Sequence, residues 1–350
     1  MNEITAISLF SGAGGDTLGM INSGINVLGF IENNKDAINT HIKNFPKCKI
    51  IGQNIIDVEE KNLEAYMNID IIFGGFPCQS FSHGGKKNPK DKRSFLYQEF
   101  VRIANIIKPK IIIGENVKGL LTRKDTDKKL FIERIMEDFD DIGYSMKYDI
   151  FNMKDYGLPQ DRKRVIIYGI RKDLNIKFNL SCIETFPPKF NKDILEFSLE
   201  NSHDVNKDYL LGKIKKEENI CVSNMNNTEK TGKPPTNLVK CIEKDELSFK
   251  KRSKPTYGCI IDKNDVSRTI LCTYSRMPRL FVSVKNKNKY YLRPYTIKEL
   301  ARIQGFPDNF VFTGTDISKI TQIGNAIPPI FVSHIMNYIQ GILSGDIIEI

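Results

Sequence analysis

The sequence predicts an α/β domain with a mostly parallel sheet, followed by a smaller and irregular second domain. Over residues 4–170, short apolar runs rich in β-branched residues alternate with helical patterns, which is typical of such a sheet. From about Cys182 the alternation stops, and proline pairs beginning at Pro187 and Pro234 interrupt the chain. The 350 residues are enough for two hydrophobic cores.

In the first domain the predicted strands are short and apolar, and each is followed by a glycine or a polar residue. They cover residues 5–10, 26–31, 69–73, 110–114 and 164–170. The predicted helices carry apolar residues at helical spacing. They cover residues 16–23, 35–45, 97–107 and 128–139. Gly24 is placed to end the first helix.

The second half of the chain has fewer regular patterns. Short strands are expected near 258–261 and 280–284. Thr296 and Glu299 have the spacing of a capping box, so a helix is expected to begin at Thr296 and to end at Gly305. A last helix is expected over 328–343.

Positive charge is concentrated in the second half of the chain. The formal net charge is +10, and residues 182–295 hold 22 Lys and Arg against 14 Asp and Glu. A basic region of this kind favours a polyanionic partner. A lysine-rich solvated surface would give the same count, and charge alone leaves both explanations open.

Composition argues against several other classes of protein. No apolar stretch is long enough to span a bilayer, and no signal peptide is evident at Met1. The seven cysteines lack framework spacing and the four histidines are scattered, which argues against a disulfide scaffold and against a metal site. We therefore expect a cytoplasmic protein with reduced thiols and no metal.

A glycine-rich loop lies between the first strand and the first helix. Its glycines allow a ligand to approach the backbone closely, and the helix start beyond them offers N–H groups to an anionic group. Glu32 ends the second strand, where acidic residues meet ribose hydroxyls in doubly wound folds. Thr17 occupies the last glycine position of a pyrophosphate-binding pattern, so a cofactor without pyrophosphate fits better. The loop residues predicted to bind it are Phe10, Ser11, Gly12, Ala13, Gly14 and Gly15.

Cys78 follows Pro77 directly after the strand predicted at 69–73. Proline fixes the backbone there, and a thiol at such a point is placed for nucleophilic attack. An isolated Pro-Cys pair is more often a buried structural thiol, so the surroundings decide. The segment 84–93 carries five Lys and Arg against one Asp, which fits a closing flap over a phosphate backbone or an ordinary surface loop.

Two further groups lie at the same predicted edge of the sheet. Glu115 follows the strand at 110–114, and the carboxyl ends of parallel strands share one edge, so Glu115 is expected to face Cys78. Arg162 and Arg164 enter the strand at 164–170 two residues apart and are expected on one face, where a planar fork can hold a base oxygen or a carboxylate.

Taken in order, these residues resemble the motifs of the C5-cytosine DNA methyltransferases of bacterial restriction–modification type. The matching stretches run along both ends of the chain. They are Phe10-x-Gly12-x-Gly14, Pro77-Cys78-Gln79, Glu115-Asn116-Val117, Gln160-x-Arg162-x-Arg164, Arg293-Pro294-x-Thr296 through Gln304-Gly305-Phe306-Pro307, and Gln322-x-Gly324-Asn325. Each is weak alone, and six in order are specific.

The resemblance implies a Rossmann-like methyltransferase fold that uses S-adenosylmethionine, and a catalytic mechanism. Cys78 would add to C6 of a cytosine flipped out of duplex DNA, and Glu115 would hold N3 and the amino group of the base. Arg162 would help at the base carbonyl, with Arg164 nearby. The cofactor pocket would also include Glu32, Asn54, Ile55, Pro77, Leu96, Asn325 and Ala326.

Three positions depart from the family pattern. Asn54 stands where family members often have an acid near the adenine amino group, although its amide oxygen can still accept a hydrogen bond. Ala326 stands where serine is common, and Ser94-Phe95-Leu96 replaces a more usual Gly-x-Leu. None of these changes touches the thiol, the carboxyl or the guanidinium groups.

The resemblance also implies the domain limits and the partners. A catalytic domain would span residues 1–184 and 318–350, and a target-recognition domain 185–317. Duplex DNA would be the substrate, a restriction endonuclease would act on the same site without direct contact, and the chain would be a monomer in the bacterial cytoplasm, associated with the nucleoid through DNA. The expected DNA contacts are Gln79, Ser82, Lys86, Lys87, Arg93, Thr269, Arg276 and Arg279.

Three other functions remain as alternatives. A tRNA substrate is disfavoured because the tRNA-acting branch carries a Cys-Phe-Thr signature, and no cysteine here precedes Phe-Thr. A DNA-binding module without catalysis would not need Cys78, Glu115 and Arg162. A nucleotide-dependent oxidoreductase is disfavoured by Thr17.

Overall fold

The computed structural model describes most of the chain. The described residues are 3–77, 96–124, 127–177, 179–206, 208–214, 220–222, 232–234, 236, 248–249, 256–276 and 278–345. No helix among these residues is both long enough and apolar enough to cross a membrane.

The strands of the first sheet lie before residue 172, together with the two-residue β7, and the remaining strands follow. Their bounds are β1 Thr5–Leu9, β2 Asn26–Ile31, β3 Lys49–Gly52, β4 Ile71–Gly74, β5 Ile111–Val117, β6 Tyr144–Asn152, β7 Gln160–Asp161, β8 Lys163–Arg171, β9 His203–Asp204, β10 Ile220–Val222, β11 Ser248–Phe249, β12 Thr256–Tyr257, β13 Cys259–Ile260, β14 Ser267–Arg268, β15 Leu280–Asn286 and β16 Lys289–Pro294.

The α-helices occur in both halves of the chain. Their bounds are α1 Gly15–Asn22, α2 Lys35–Asn44, α3 Glu60–Leu63, α4 Leu96–Ile107, α5 Phe131–Asp141, α6 Asp208–Ile214, α7 Ile297–Ile303, α8 Asp316–Asn325 and α9 Pro329–Ser344. Short 3-10 turns lie between them, including one at Ile55–Asp57.

Seven of the described strands form one sheet in the order β3-β2-β1-β4-β5-β8-β6. Neighbours from β3 to β5 are parallel, and β8 runs antiparallel to both β5 and β6. The prediction of an α/β domain with a mostly parallel sheet is therefore confirmed. The sequence did not indicate β3 or β6, because β3 is short and only two of the nine residues of β6, at the edge of the sheet, are fully buried.

Helices cover both faces of this sheet, and the alternation of side chains along each strand explains why. Ile111 and Ile113 pack in one apolar cluster with residues of α1 and α9. Ile112 points to the opposite face and packs in a second cluster with residues of α4 and α5. The strands are buried on both faces, so they read as continuous apolar runs.

The second half of the chain builds its own sheet and core. Within the described residues, β10, β15, β16 and β9 lie in that order, and β13 pairs with β15. The third apolar cluster spans Ile194 to Ala326, whereas Ile183 belongs to the first cluster. Ile323 of α8 also packs in the third cluster, although the sequence had suggested that residues from 318 onward belong to the catalytic domain. The domain limits stay a prediction.

The helix expected at Thr296 has the capping box that the sequence indicates. Thr296 accepts the N–H of Glu299, and Glu299 accepts the N–H of Thr296. Glu299 also forms a fully buried bidentate pair with Arg293, at 2.7 Å for each hydrogen bond. Gly305 follows the helix with φ +86°, a conformation that favours glycine.

Candidate active site

A cavity of about 350 Å³ opens at the carboxyl ends of β1 to β5. The segments that follow these parallel strands form its walls, together with the start of β8 and residues 318–327. This is the edge at which ligands bind in open α/β sheets. The predicted positions that line it are Phe10, Ser11, Gly12, Ala13, Glu32, Asn54, Ile55, Pro77, Leu96, Glu115, Arg162, Arg164, Asn325 and Ala326.

The loop after β1 and the acid after β2 form one unit. The backbone N–H of Gly12 donates to Glu32 Oε2 at 2.8 Å, and Glu32 Oε1 accepts the N–H groups of Asn33 and Asn34. Phe10 and Gly12 both have positive φ, 56° and 54°, which turns the chain sharply toward α1. The hydrogen bonds therefore fix the position of a carboxylate on the cavity wall.

Gly14 and Gly15, two of the loop residues predicted to bind the cofactor, are not among the residues that line the cavity. A Cβ atom on Gly14 would lie 2.5 Å from the Phe45 ring, and one on Gly15 would lie 2.3 Å from the carbonyl oxygen of Ile327. These glycines let α1 pack closely against α2 and against the segment before α9. They therefore contribute to the site through the packing of the loop and not through its surface.

Asn54 lies at the exposed rim of the cavity after β3. Its side chain accepts the N–H of Ile56 at 3.4 Å and donates to Asp57 at 2.9 Å, so it caps the 3-10 turn. Ile55 in the same turn is 4% exposed and adds an apolar wall. The side chain of Asn54 thus brings an amide oxygen to the cavity rim, where the family resemblance had led us to expect an acid.

Glu115 and Arg164 form an ion pair on the cavity wall. Arg164 Nε lies 2.7 Å from Glu115 Oε1, and the two side chains are 12% and 14% exposed. The antiparallel register of β5 and β8 brings them together, since Arg164 stands opposite Val117. Asn116 is buried and donates to the carbonyl oxygen of Phe76 at 3.3 Å. The strand end that carries Glu115 is thus tied to the stretch that leads to Cys78.

The guanidinium of Arg162 has different surroundings from those expected. It is 1% exposed and donates to the carbonyl oxygens of Ile270, Gly324 and Ala326 at 3.1–3.2 Å. Burial, and next the charge of Arg164, lower the pKa of Arg162 well below its usual value. The sequence had suggested a contact with the base carbonyl, but in this geometry Arg162 joins three chain segments, and Arg164 is the arginine paired with Glu115.

Gln160 extends these connections. Its amide nitrogen donates to Gln304 at 2.8 Å, and its amide oxygen accepts the N–H of Ile270 at 3.0 Å. Gln304 donates in turn to the carbonyl oxygen of Ala326. We call Gln160, Arg162 and Gln304 the polar hub. It links the start of β8 to the segment after β14, to the end of α7 and to the end of α8.

Replacing Arg162 by Lys should destabilise the chain. Lysine keeps the charge but replaces a planar fork by a single ammonium group, so it cannot serve the three carbonyl oxygens together. We expect the free energy of unfolding to fall by about 2–4 kcal/mol, because buried hydrogen bonds to a charged group are lost. Urea denaturation followed by circular dichroism measures this change.

Arg171→Lys is the matched control for that variant. The side chain of Arg171 is 26% exposed and pairs with Asp173 at 2.7 Å. A surface pair contributes little, so this change should stay within about 1 kcal/mol. Equal losses in the two variants would contradict the role given to the polar hub.

Several cavity residues were missed from the sequence. Asp16 reads as an ordinary acid in the first turn of a helix, and Gln53 and Asn33 carry no pattern of their own. Gln322 belongs to a stretch that the family resemblance had singled out, so that resemblance was the available signal. The side-chain oxygens Ser11 Oγ and Gln322 Oε1 are buried on this cavity and have no hydrogen-bond partner among the described residues.

Some predicted residues lie outside the described part of the chain. They are Cys78, Gln79, Ser82, Lys86, Lys87 and Arg93. The residues that flank this segment, Pro77 and Leu96, both line the cavity. Pro77, which precedes Cys78 in the sequence, is therefore part of the cavity wall.

Two of the predicted recognition residues line a second cavity, of about 450 Å³. Thr269 and Arg279 lie there with Asp161, and Thr269 Oγ1 donates to the carbonyl oxygen of Asp161 at 2.8 Å. Arg276 lies in the intervening turn, where its N–H donates to the carbonyl oxygen of Thr273. Thr269 thus packs directly on the residues that enter β8.

The first cavity fits the cofactor that the family resemblance implies. S-adenosylmethionine carries an adenosine, a sulfonium and an amino acid, so it needs apolar walls, acceptors for hydroxyls and negative charge. Ile31, Ile55 and Phe76 supply apolar wall, and Glu32 supplies an oriented carboxylate. The unpartnered hydroxyl of Ser11 is a further polar group available to a ligand.

Comparisons with known proteins identify the family of the chain. The family model described as C-5 cytosine-specific DNA methylase matches residues 4–341. The chain is 33% identical over 339 residues to the type II methyltransferase M.FnuDI of Fusobacterium nucleatum, covering 92% of this chain and 90% of that protein. It is 31% identical over 361 residues to M.NgoFVII of Neisseria gonorrhoeae, covering 99% and 88%.

Solved structures share the fold. A DNA modification methyltransferase encoded within an E. coli prophage superposes with a TM-score of 0.67 at 24% identity, covering 98% of this chain and 100% of that one. A variant of Spodoptera frugiperda DNMT2 gives 0.67 at 18% identity, covering 97% and 100%. On the family match, this chain belongs to the C-5 cytosine-specific DNA methylases and is an S-adenosylmethionine-dependent DNA (cytosine-5) methyltransferase.

Proposed function

We propose that Cys78, Glu115 and Arg164 act together on one cytosine that is flipped out of duplex DNA. The observation that carries this proposal is the Glu115–Arg164 ion pair, which shares one cavity with the glycine loop and with Pro77. C5 and C6 of a stacked cytosine cannot be reached inside a duplex, so the base must leave the helix to meet these groups.

The thiolate of Cys78 forms a bond to C6, and the electron pair of the C5–C6 double bond moves to C5 and the ring. Glu115 holds N3 and the amino group, where it stabilises the charge that develops on the base. Arg164 donates to the base carbonyl and keeps Glu115 in place. We assign Arg162 to the polar hub instead of to the base, because its two Nη groups donate to three backbone carbonyl oxygens.

When bound, S-adenosylmethionine supplies an electrophilic methyl group. C5 would take that methyl group as the bond from the methyl group to the sulfonium sulfur breaks, with S-adenosylhomocysteine as the leaving group. C5 then loses its proton to water, and the bond between C6 and the sulfur of Cys78 breaks. The C5–C6 double bond is restored and the thiolate is free again. The covalent bond between Cys78 and the base thus forms and breaks within one cycle, and the methyl group stays on C5.

The DNA is proposed to lie across the second domain, including the segment that carries Thr269, Arg276 and Arg279. Residues 182–295 hold 22 Lys and Arg against 14 Asp and Glu, which suits a phosphate backbone. Thr269, Arg276 and Arg279 belong to this region, and Gln79, Ser82, Lys86, Lys87 and Arg93 precede Leu96 at the cavity. We propose that residues 1–184 and 318–350 form the catalytic domain and that residues 185–317 form the target-recognition domain.

We further propose that the chain is the modification enzyme of a type II restriction–modification system. Relatives that align with more than nine-tenths of this chain carry the name type II methyltransferase. The chain would act as a monomer, and a restriction endonuclease would cleave the same sequence without contacting it. Sedimentation of the chain alone and with duplex DNA tests the monomer.

Bisulfite sequencing of DNA from cells that express the chain tests the proposed function. The expected result is methylation of one cytosine within a fixed short sequence, together with transfer of labelled methyl groups to duplex DNA and not to tRNA. Labelling of tRNA in preference to duplex DNA, or methylation without any sequence preference, would contradict the proposal.

A further inference from the structure

Asp16 places a buried carboxyl group on the cofactor cavity, and the proposed chemistry does not use it. The residue is 3% exposed and lies in the first turn of α1. Ser8 Oγ donates to Oδ2 at 2.5 Å, and the backbone N–H of Thr17 donates to Oδ1 at 2.8 Å. These bonds hold the carboxyl group rigidly without neutralising its charge.

The groups around Asp16 supply no positive charge. Glu32, on the neighbouring strand end, repels it, and burial together with this repulsion raises the pKa of Asp16 to about 7. His41 of α2 hydrogen-bonds to Thr17, and burial lowers its pKa to about 3, so it is neutral. Burial, and then Asp16, raise the pKa of the Cys48 thiol to about 12. In the described part of the chain, no cation offsets the charge of Asp16.

A buried carboxylate is stable only when it is paired or protonated. S-adenosylmethionine offers two cations, and only its α-ammonium group carries N–H donors that a carboxylate can accept. Ser11 Oγ, which is buried on the same loop without a partner among the described residues, adds a second polar group at this wall.

We propose that Asp16 binds the α-ammonium group of S-adenosylmethionine. Ser8 orients the carboxyl group for this contact, and the free enzyme carries a proton there that the cofactor displaces. The inference rests on the cofactor cavity of the proposed function, and a ligand that lacks the amino acid tests that cavity separately.

The proton on the Asp16 carboxyl group makes the binding of S-adenosylmethionine depend on pH. In the free chain Asp16 is about half protonated near pH 7, and an adjacent ammonium group lowers its pKa. Binding of S-adenosylmethionine should therefore release roughly half a proton at pH 7. Its affinity should fall as the pH drops below 7, by up to about tenfold for each pH unit.

Isothermal titration calorimetry tests this inference, and it suits a chain that contains no tryptophan. S-adenosylmethionine and 5′-methylthioadenosine, which lacks the amino acid, are titrated into wild type and into Asp16→Asn between pH 6 and 7.5. Two buffers of different ionisation enthalpy give the number of protons released. Asp36→Asn is the matched control, because Asp36 stands in the first turn of α2 and does not line the cavity.

Asp16→Asn should lower the affinity for S-adenosylmethionine about tenfold or more, since a charge-assisted hydrogen bond is lost. It should also abolish the release of a proton on binding. The same substitution should change the affinity for 5′-methylthioadenosine by less than about twofold. The ligand-free variant should melt at a higher temperature than wild type at pH 8, because a buried charge without a counter-ion is gone.

Two results would overturn the inference. One is unchanged affinity for S-adenosylmethionine with the same proton release in Asp16→Asn. The other is an equal loss of affinity for both ligands, which would show that Asp16 only shapes the cavity. Asp36→Asn should behave as wild type in every titration.

Discussion

The Cys78→Ser chain is expected to bind duplex DNA and S-adenosylmethionine but to transfer no methyl group. A serine hydroxyl stays protonated at neutral pH, and an alcohol without an adjacent base is a poor nucleophile toward C6 of cytosine. We expect the rate of methyl transfer to fall by at least about 10³-fold. Transfer of labelled methyl groups to duplex DNA measures the rate, and a gel shift on the same DNA measures binding.

Cys182→Ser is the matched control for the loss of the thiol. Cys182 is a free and exposed cysteine outside the cavity. The same substitution there should leave transfer within about twofold of wild type, since surface changes seldom disturb a fold. Methyl transfer that survives in Cys78→Ser would refute the assignment of Cys78 as the nucleophile.

Glu115→Gln is expected to cause the second large loss. Glutamine keeps the shape of the side chain but removes both the charge that pairs with Arg164 and the proton that a carboxyl group can share with N3. We expect the single-turnover rate to fall by about 10²–10⁴-fold, the usual range for a lost acid or base. Binding of DNA should change much less, because phosphate contacts dominate affinity.

A second Glu–Arg pair gives this variant its control. Glu99 and Arg102 of α4 form an ion pair at 2.7 Å, the same distance as between Glu115 and Arg164, and neither lines the cavity. Glu99→Gln should lower the rate by less than about threefold. A comparable loss of rate in Glu99→Gln would mean that Glu115 contributes through general stability.

The sequence predicted the parts of the fold whose signals are local. The strand expected at 26–31 has those bounds, and the helix expected at 97–107 begins one residue earlier in the structure. Continuous apolar runs identify strands that are buried on both faces. β6 escaped detection because an edge strand with exposed polar residues has no such run.

In the candidate site, too, the features with a local sequence signal were predicted and the others were not. The spacing of Gly12 and Glu32 indicated a shared pocket, and the structure joins them by a hydrogen bond. The role of Gly14 could not be inferred, because the ring of Phe45 that excludes a side chain there lies 31 positions along the chain. The surroundings of Arg162 could not be inferred for a related reason, because the carbonyl oxygens that it contacts lie 108, 162 and 164 positions along the chain. Asp16 was missed because an acid in the first turn of a helix has no distinctive pattern.

The recognition domain was the least predictable part. β16 pairs with β15 along six residue positions, yet its many polar and aromatic side chains did not suggest a strand. Base readout depends on side chains held by loops, and loop conformation follows from packing more than from local pattern. Thr269, Arg276 and Arg279 therefore remain proposals as DNA contacts.

Trapping on DNA that carries 5-fluorocytosine in the methylated sequence tests the central claim most directly. Fluorine at C5 cannot leave as the proton does, so the bond between the thiol and C6 should persist after the methyl group has been transferred. Peptide mass spectrometry of the wild-type complex should find the modified base on Cys78, and Cys78→Ser should form no complex. An adduct on another cysteine, or no adduct with the wild-type enzyme in the presence of S-adenosylmethionine, would contradict the account.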